Sequence, residues 1–352
     1  MDALRLTGWG TDAELQDVPQ PDPGPGEVLV RIGGAGACHS DLHLMHDFVE
    51  GVVPWGPPFT LGHENAGWVH ALGAGVTGLE VGQPVAVYGP WGCGRCHRCR
   101  MGAENYCERA AELPAAGGGL GFDGGMAPYQ LIPQSRWLVP LGDLDPVDAA
   151  PLTDAGLTPY HAIKRSLGVL IPGSTVVVIG AGGLGHMAVQ ILAALTPATI
   201  VVVDQRLDAL ERTTAYGATH TIFTGEGGMT QEEAVAEVMS ITGGRGADVT
   251  IDVVGVDATL ALGAAVTRSL GHLTIVGIGG GTLPVNFFSV QYEVSIATTY
   301  WGTLPELQEV LALAERGLIE ADVQRFDLAH APDAYRAMAA GELHGRAVVV
   351  PS

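Results

Sequence analysis

Four of the five cysteines, Cys93, Cys96, Cys99 and Cys107, lie within the fifteen residues CGRCHRCRMGAENYC. Successive C-x-x-C steps and one further cysteine bring four thiolates within reach of one ion, the donor set of a closed, tetrahedral structural zinc site. Paired disulfides fit less well, because cysteines so tightly spaced rarely span a stable bridge and nothing else points to an oxidising compartment. Cys38 stands apart, in GACHSDLHLMH, followed at once by His39, Ser40, Asp41 and His43; a second polar group, Gly62-His63-Glu64, follows in TLGHEN. Thiolate and imidazole are zinc donors, and a reactive zinc needs three protein ligands with its last position open to water or substrate. Cys38 and His63 supply two. No cysteine remains for the third, which leaves a carboxylate, either Asp154 in PLTDAGLTPYH or Glu64.

A second chemistry lies in STVVVIGAGGLGHMAVQILAAL. An apolar β-branched run, Thr175 to Ile179, meets Gly180-Ala181-Gly182-Gly183-Leu184-Gly185 and then a helical pattern. Among 51 glycines a bare G-x-G-x-x-G says little, but here a second strand, Thr199 to Val203, follows, and Asp204 stands 19 residues beyond Gly185. That is the context of a dinucleotide fold. Gly180 makes the turn, Gly182 lets a pyrophosphate approach the backbone, and Gly185 lets helix and strand pack closely. The helix N-terminus offers unpaired N–H groups and a positive dipole end to the phosphates. Asp204 accepts hydrogen bonds from ribose hydroxyls and repels a 2′-phosphate, which favours NAD over NADP. Arg206 pulls the other way, since an arginine there can grip a phosphate.

These groups need two domains to hold them, and 352 residues with 47% hydrophobic content are enough for two cores. Residues 1 to about 150 alternate short strands with Gly/Pro turns, as in Glu27 to Ile32, Ala66 to Leu72 and Pro84 to Gly89, which predicts a partly antiparallel, barrel-like domain. From about 172 strands alternate with helices, near 175–180, 199–204, 219–223, 249–254, 272–278 and 294–300, a doubly wound parallel α/β sheet. A helix after Gly302 and a last strand, Arg346 to Val350, return to the first domain, with the active-site cleft expected between the two. The net charge of −21 makes nucleic acid and anionic membrane surfaces poor partners. Four glycines, His186 and Gln190 argue against the apolar stretch at 174–195 being a membrane span. The start, MDALRLTGWGTDAELQ, has no apolar signal region, so the expected location is the reducing cytoplasm.

GHE at 62–64, the four-cysteine lobe, GAGGLG and the closing GRAVVV together resemble the zinc-dependent medium-chain alcohol dehydrogenases, above all the bacterial NAD-dependent secondary-alcohol dehydrogenases, nearly end to end. The resemblance implies a GroES-like catalytic domain over 1–155 and 301–352, carrying the structural-zinc lobe near 93–107, and a Rossmann NAD-binding domain over 156–300. It makes Cys38, His63 and Asp154 the catalytic zinc ligands; one branch of the family has cysteine at the third position, and Asp154 agrees with a bacterial branch that has aspartate. Glu64 matches a carboxylate that enters the metal shell transiently or serves as a charge partner beside it. Asp41 then orients His63, and Ser40 takes the alcohol proton and passes it through the nicotinamide ribose to His43. The resemblance further implies coenzyme contacts at His39, Thr158, Val254, Val276, Ile278 and Arg346, with His39 and Arg346 on the pyrophosphate and Thr158 against the nicotinamide. Trp55, Leu120, Tyr300 and Trp301 would wall the substrate pocket. The implied reaction is hydride transfer between NAD(H) and a secondary alcohol or ketone, with primary alcohols also possible, on two zinc ions per subunit in a homodimer or homotetramer. A polyol or formaldehyde dehydrogenase and a non-catalytic NAD-binding protein remain as alternatives.

Overall fold

A computed structural model describes residues 1–351. Contacts group them into two units, Met1–Leu157 together with the chain from Trp301 onward, and Thr158–Tyr300. The boundary falls at Leu157, against 155 from the sequence.

The first unit is built on a seven-stranded sheet in the order Leu138–Pro140, Pro84–Val87, Glu64–Leu72, Val28–Gly36, Arg346–Val350 and Val323–Asp327, with Tyr129–Ile132 also on Val28–Gly36. Val28–Gly36 outruns the expected Glu27 to Ile32, because its end, Gly-Gly-Ala-Gly, continues into a space too tight for larger side chains. A Cβ at Gly33 would lie 2.8 Å from the Trp68 ring and one at Gly34 2.9 Å from the Val147 backbone. Strand propensity is blind to this, since glycine ordinarily weakens a strand. Leu29, Ile32, Ala66, Val85 and Val348 pack the sheet as fully buried residues. A smaller sheet pairs Asp2–Leu6 with Glu14–Asp17 and Phe59–Thr60.

The second unit is a six-stranded, wholly parallel sheet, ordered His220–Phe223, Thr199–Asp204, Thr175–Ile179, Ala247–Asp252, Thr267–Ile275, Ser295–Thr298. Numbered along the chain this is 3-2-1-4-5-6, a doubly wound sheet whose order reverses between Thr175–Ile179 and Ala247–Asp252. Its central strands are buried on both faces, with Val177, Ile179, Val201 and Val203 in one cluster, so they read as apolar runs without alternation. The crossover helix Gln231–Ile241 starts on a capping box: Thr230 Oγ1 accepts the Glu233 amide at 3.2 Å and Glu233 accepts the Thr230 amide at 2.8 Å. At the sheet's edge, Ser295–Thr298 follows a segment that exposes Val285, Phe287, Phe288 and Tyr292.

Candidate active site

Antiparallel pairing brings Cys38 and His63 together. Gly36, the last residue of one central strand, faces Glu64, the first of the next, so the residues just beyond these strand ends come side by side. A Cβ at Gly36 would lie 2.1 Å from Glu64 Oε2, so only glycine fits there. Cys38 is the N-cap of helix His39–His46, and Asp41 in its first turn reaches back to accept the Cys38 amide at 3.0 Å. Asp154 closes the 3₁₀ turn Ala150–Thr153. Its Oδ2 lies 3.7 Å from Cys38 Sγ and 3.8 Å from His63 Nε2. One donor atom each from Cys38, His63, Glu64 and Asp154 falls within 4.8 Å of the others.

This donor set fits zinc. Tetrahedral bonds of the usual zinc–sulfur and zinc–nitrogen lengths place neighbouring ligand atoms about 3.5 Å apart. His63 turns Nδ1 toward Asp41 Oδ1, 3.0 Å away, which leaves Nε2 on the side of Cys38 and Asp154. Ser40 Oγ stands 3.2 Å from the same Nε2. Glu64, fully buried, pairs with the Arg346 guanidinium, itself 5% exposed. Burial pushes the Glu64 carboxyl well above its ordinary range despite Arg346, and Cys38 and Asp154 push it further. Cys38, Glu64 and Asp154 thus bring three acid groups together in a buried place, a set that a metal cation would suit.

Arg346 and Glu64 hold each other. Burial first, then Arg346 and His43, lower the His39 pKa. His43 Nδ1 lies 2.5 Å from Asp47 Oδ2, with the ring partly exposed. The Trp301 indole stands edge-on to the His63 ring, 5.4 Å between centroids, and donates Nε1–H to Thr153 O at 2.9 Å. Its backbone is left-handed, with φ of 54°, and the close approach of its ring requires Gly89, where a Cβ would come within 2.0 Å. Trp55 belongs to an aromatic group with Trp9 and Phe59, and half-buried Leu120 lies in the adjoining loop 117–121. Tyr300 ends the other unit at 48% exposure.

In the cysteine lobe all five of the chain's thiols but Cys38 converge. The Sγ atoms of Cys96 and Cys99 are 3.4 Å apart and those of Cys93 and Cys99 3.9 Å, against about 3.8 Å across a tetrahedral zinc–thiolate site. Backbone amides of Cys96, Cys99 and Cys93 point at Sγ of Cys93, Cys96 and Cys107, at 3.3 to 3.4 Å. Such N–H groups, led by that of Arg95, bring Cys93 down to about 6. Buried Glu104 takes the Arg136 guanidinium beneath the lobe.

The glycine turn has the geometry of a phosphate cradle. Gly180 sits at φ 98°, Gly182 has open space where a Cβ would point, and the helix Gly185–Leu195 begins with Leu184 as N-cap after Gly183. A Cβ at Gly185 would come 1.9 Å from the Gly180 carbonyl oxygen. We therefore expect Gly185→Ala to weaken NAD binding at least about tenfold with zinc content unchanged, measured by titrating protein fluorescence with NADH. Asp204 accepts the amides of Ala181 (2.5 Å) and Arg206 (2.8 Å), tying the acid to the turn. Arg206 begins the helix Leu207–Ala215, where it and Arg212 hold Asp208 below its ordinary range although burial pushes the other way. The loops after the next strands are laced alongside: Val276 donates to Asp252 O (2.8 Å) and Gly279 to Val254 O (3.0 Å), while Ile278 is exposed. Thr158 is buried at the start of this unit.

The sequence reading had no place for Tyr335, whose hydroxyl donates to Asp41, nor for the partnership of Glu64 with Arg346. No local pattern marks either.

Residues 24–143 match the alcohol dehydrogenase GroES-like domain and residues 183–316 the zinc-binding dehydrogenase domain. An NAD-dependent alcohol dehydrogenase of Sulfurisphaera tokodaii is 37% identical over the full length of both chains. Among solved structures, the alcohol dehydrogenase of Aeropyrum pernix superposes with a TM-score of 0.90 at 36% identity, covering all of both chains. The D-arabinose dehydrogenase of Sulfolobus solfataricus superposes at 0.84 with 30% identity, over 99% of each. Cluster, glycine turn and these full-length likenesses agree, and the chain belongs to the zinc-binding, GroES-like alcohol dehydrogenase family.

Proposed function

We propose that this protein is an NAD-dependent alcohol dehydrogenase that interconverts secondary alcohols and ketones, and that Cys38, His63 and Asp154 hold its catalytic zinc. The observation that carries the reading is the meeting of these three donors with Ser40 Oγ beside them, 3.2 Å from His63 Nε2. When bound, zinc would supply the Lewis acidity that lowers a hydroxyl pKa toward neutrality, and NAD would supply the hydride acceptor. Ser40 Oγ would take the hydroxyl proton while releasing its own, and His43, with Nδ1 held by Asp47, would pass a proton on to solvent. Asp41 keeps His63 in the tautomer that leaves Nε2 free for metal. Trp301 covers the His63 ring and keeps water from that side.

Residues 180–185 bind the pyrophosphate and Asp204 the adenine-side ribose, which disfavours a 2′-phosphate. Thr158, Val254, Val276 and Ile278 support the nicotinamide end, and His39 the phosphates. Cys93, Cys96, Cys99 and Cys107 hold a second, structural zinc, making two per chain. The edge strand Ser295–Thr298 and the exposed aromatics before it supply a face for a second copy, in a dimer or tetramer. No helix among the described residues is long and apolar enough to cross a membrane. We place the protein in the cytoplasm, where reduced thiols stay available for metal.

The test is NADH formation, followed by absorbance, from a short secondary alcohol, its primary isomer, an aryl secondary alcohol and a polyol, each with NAD and NADP. Faster turnover of secondary alcohols with NAD is the expected result. Preference for the polyol would keep the chemistry and overturn the substrate, and no turnover by zinc-replete protein would overturn the assignment.

A further inference from the structure

Asp41 engages three partners. Oδ1 faces His63 Nδ1 at 3.0 Å, while Oδ2 accepts both the Cys38 amide, at 3.0 Å, and the Tyr335 hydroxyl, at 2.8 Å. Tyr335 projects from the helix Ala331–Ala339, is separated from Asp41 by 294 residues of chain, and is buried, its hydroxyl also 3.2 Å from Met126 Sδ. Burial and the Asp41 carboxylate raise the phenol well above its ordinary pKa, so Tyr335 only donates.

We infer that Tyr335 is a positioning residue for the catalytic metal: its hydrogen bond to Asp41 Oδ2 fixes the carboxylate so that Oδ1 stays on His63 Nδ1 and Nε2 stays aimed at the ion. The inference rests on the zinc reading of Cys38, His63 and Asp154. A carboxyl group turns about a broad, nearly two-fold torsion, and the amide of Cys38 alone leaves it room to rock. Two donors on one oxygen remove that freedom. An imidazole held through its far nitrogen is a better-oriented ligand, and losing such an outer partner costs about 10- to 100-fold in metal affinity or activity.

Tyr335→Phe removes the hydroxyl and keeps the ring. With zinc-loaded protein and a colorimetric chelator in excess, two zinc ions should leave each chain in separate phases. In the variant we expect one phase to speed up about tenfold while the phase of the four-thiolate site keeps its wild-type rate, an internal reference that general loosening of the fold would not spare. Turnover should fall with the KM for NAD unchanged. In an Asp41→Ala background the same substitution should have little further effect, because the hydrogen bond has lost its acceptor. Equal release rates in wild type and Tyr335→Phe, or a full effect in the Asp41→Ala background, would overturn the inference. Wild-type protein that binds zinc only at the four thiolates would instead overturn the reading beneath it, and the inference with it.

Discussion

Asp154→Ala is expected to empty the Cys38–His63 cluster of zinc and to lower kcat/KM at least about a thousandfold, because two ligands are too few to hold a reactive ion that needs three. Elemental analysis should find one zinc per chain in place of two, the remaining ion belonging to Cys93, Cys96, Cys99 and Cys107. Glu64 is the only other carboxylate in the cluster, and it is poorly placed to substitute. One of its oxygens is engaged by Arg346, and the other fills the space that a Cβ at Gly36 would take, at 2.1 Å. Asp154→Asn, which keeps an oxygen donor but not its charge, should fall between alanine and wild type. Full activity with unchanged zinc content in Asp154→Ala would remove Asp154 from the ligand set.

The second large effect concerns stability. Arg346→Met should leave the fully buried Glu64 without its counter-ion, and breaking a buried pair from one side costs about 3–5 kcal/mol. In a unit of this size that corresponds to a melting temperature lower by roughly 10 °C. The double variant Glu64→Gln with Arg346→Met removes both charges and should recover most of the loss, which differential scanning calorimetry on zinc-loaded protein would show as coupling between the sites. A single variant that melts with the wild type would mean that the pair contributes nothing to the fold.

What could be read in advance was what is local. The cysteine run and the glycine turn are each contiguous, and their chemistry follows from spacing alone. The third ligand was different: a carboxylate carries no motif, so residue types left Asp154 and Glu64 equal, and the resemblance favoured Asp154. Strand ends were misjudged where packing overrides propensity, as in the buried Gly33–Gly36 run. The Arg346–Glu64 and Tyr335–Asp41 contacts join residues 282 and 294 positions apart, a separation at which only the folded sheet and helices bring side chains together. Trp301 was readable as an aromatic near the end of the dinucleotide unit, but its left-handed backbone and edge-on contact with His63 were not.

The strand Arg346–Val350 lies inside the first unit's sheet, against Val28–Gly36, yet it is translated only after the whole of Thr158–Tyr300. On the ribosome the middle unit is therefore contiguous and free to fold as soon as it emerges, whereas the flanking unit must hold Cys38, His63 and Asp154 in an unfinished sheet until Tyr335 and Arg346 arrive. During that interval Val28–Gly36 lacks its neighbour Arg346–Val350, leaving the sheet with an open edge there. The order of synthesis thus makes the Tyr335–Asp41 and Arg346–Glu64 contacts the last to form around Cys38 and His63, and the half-made first unit the stage most in need of protection.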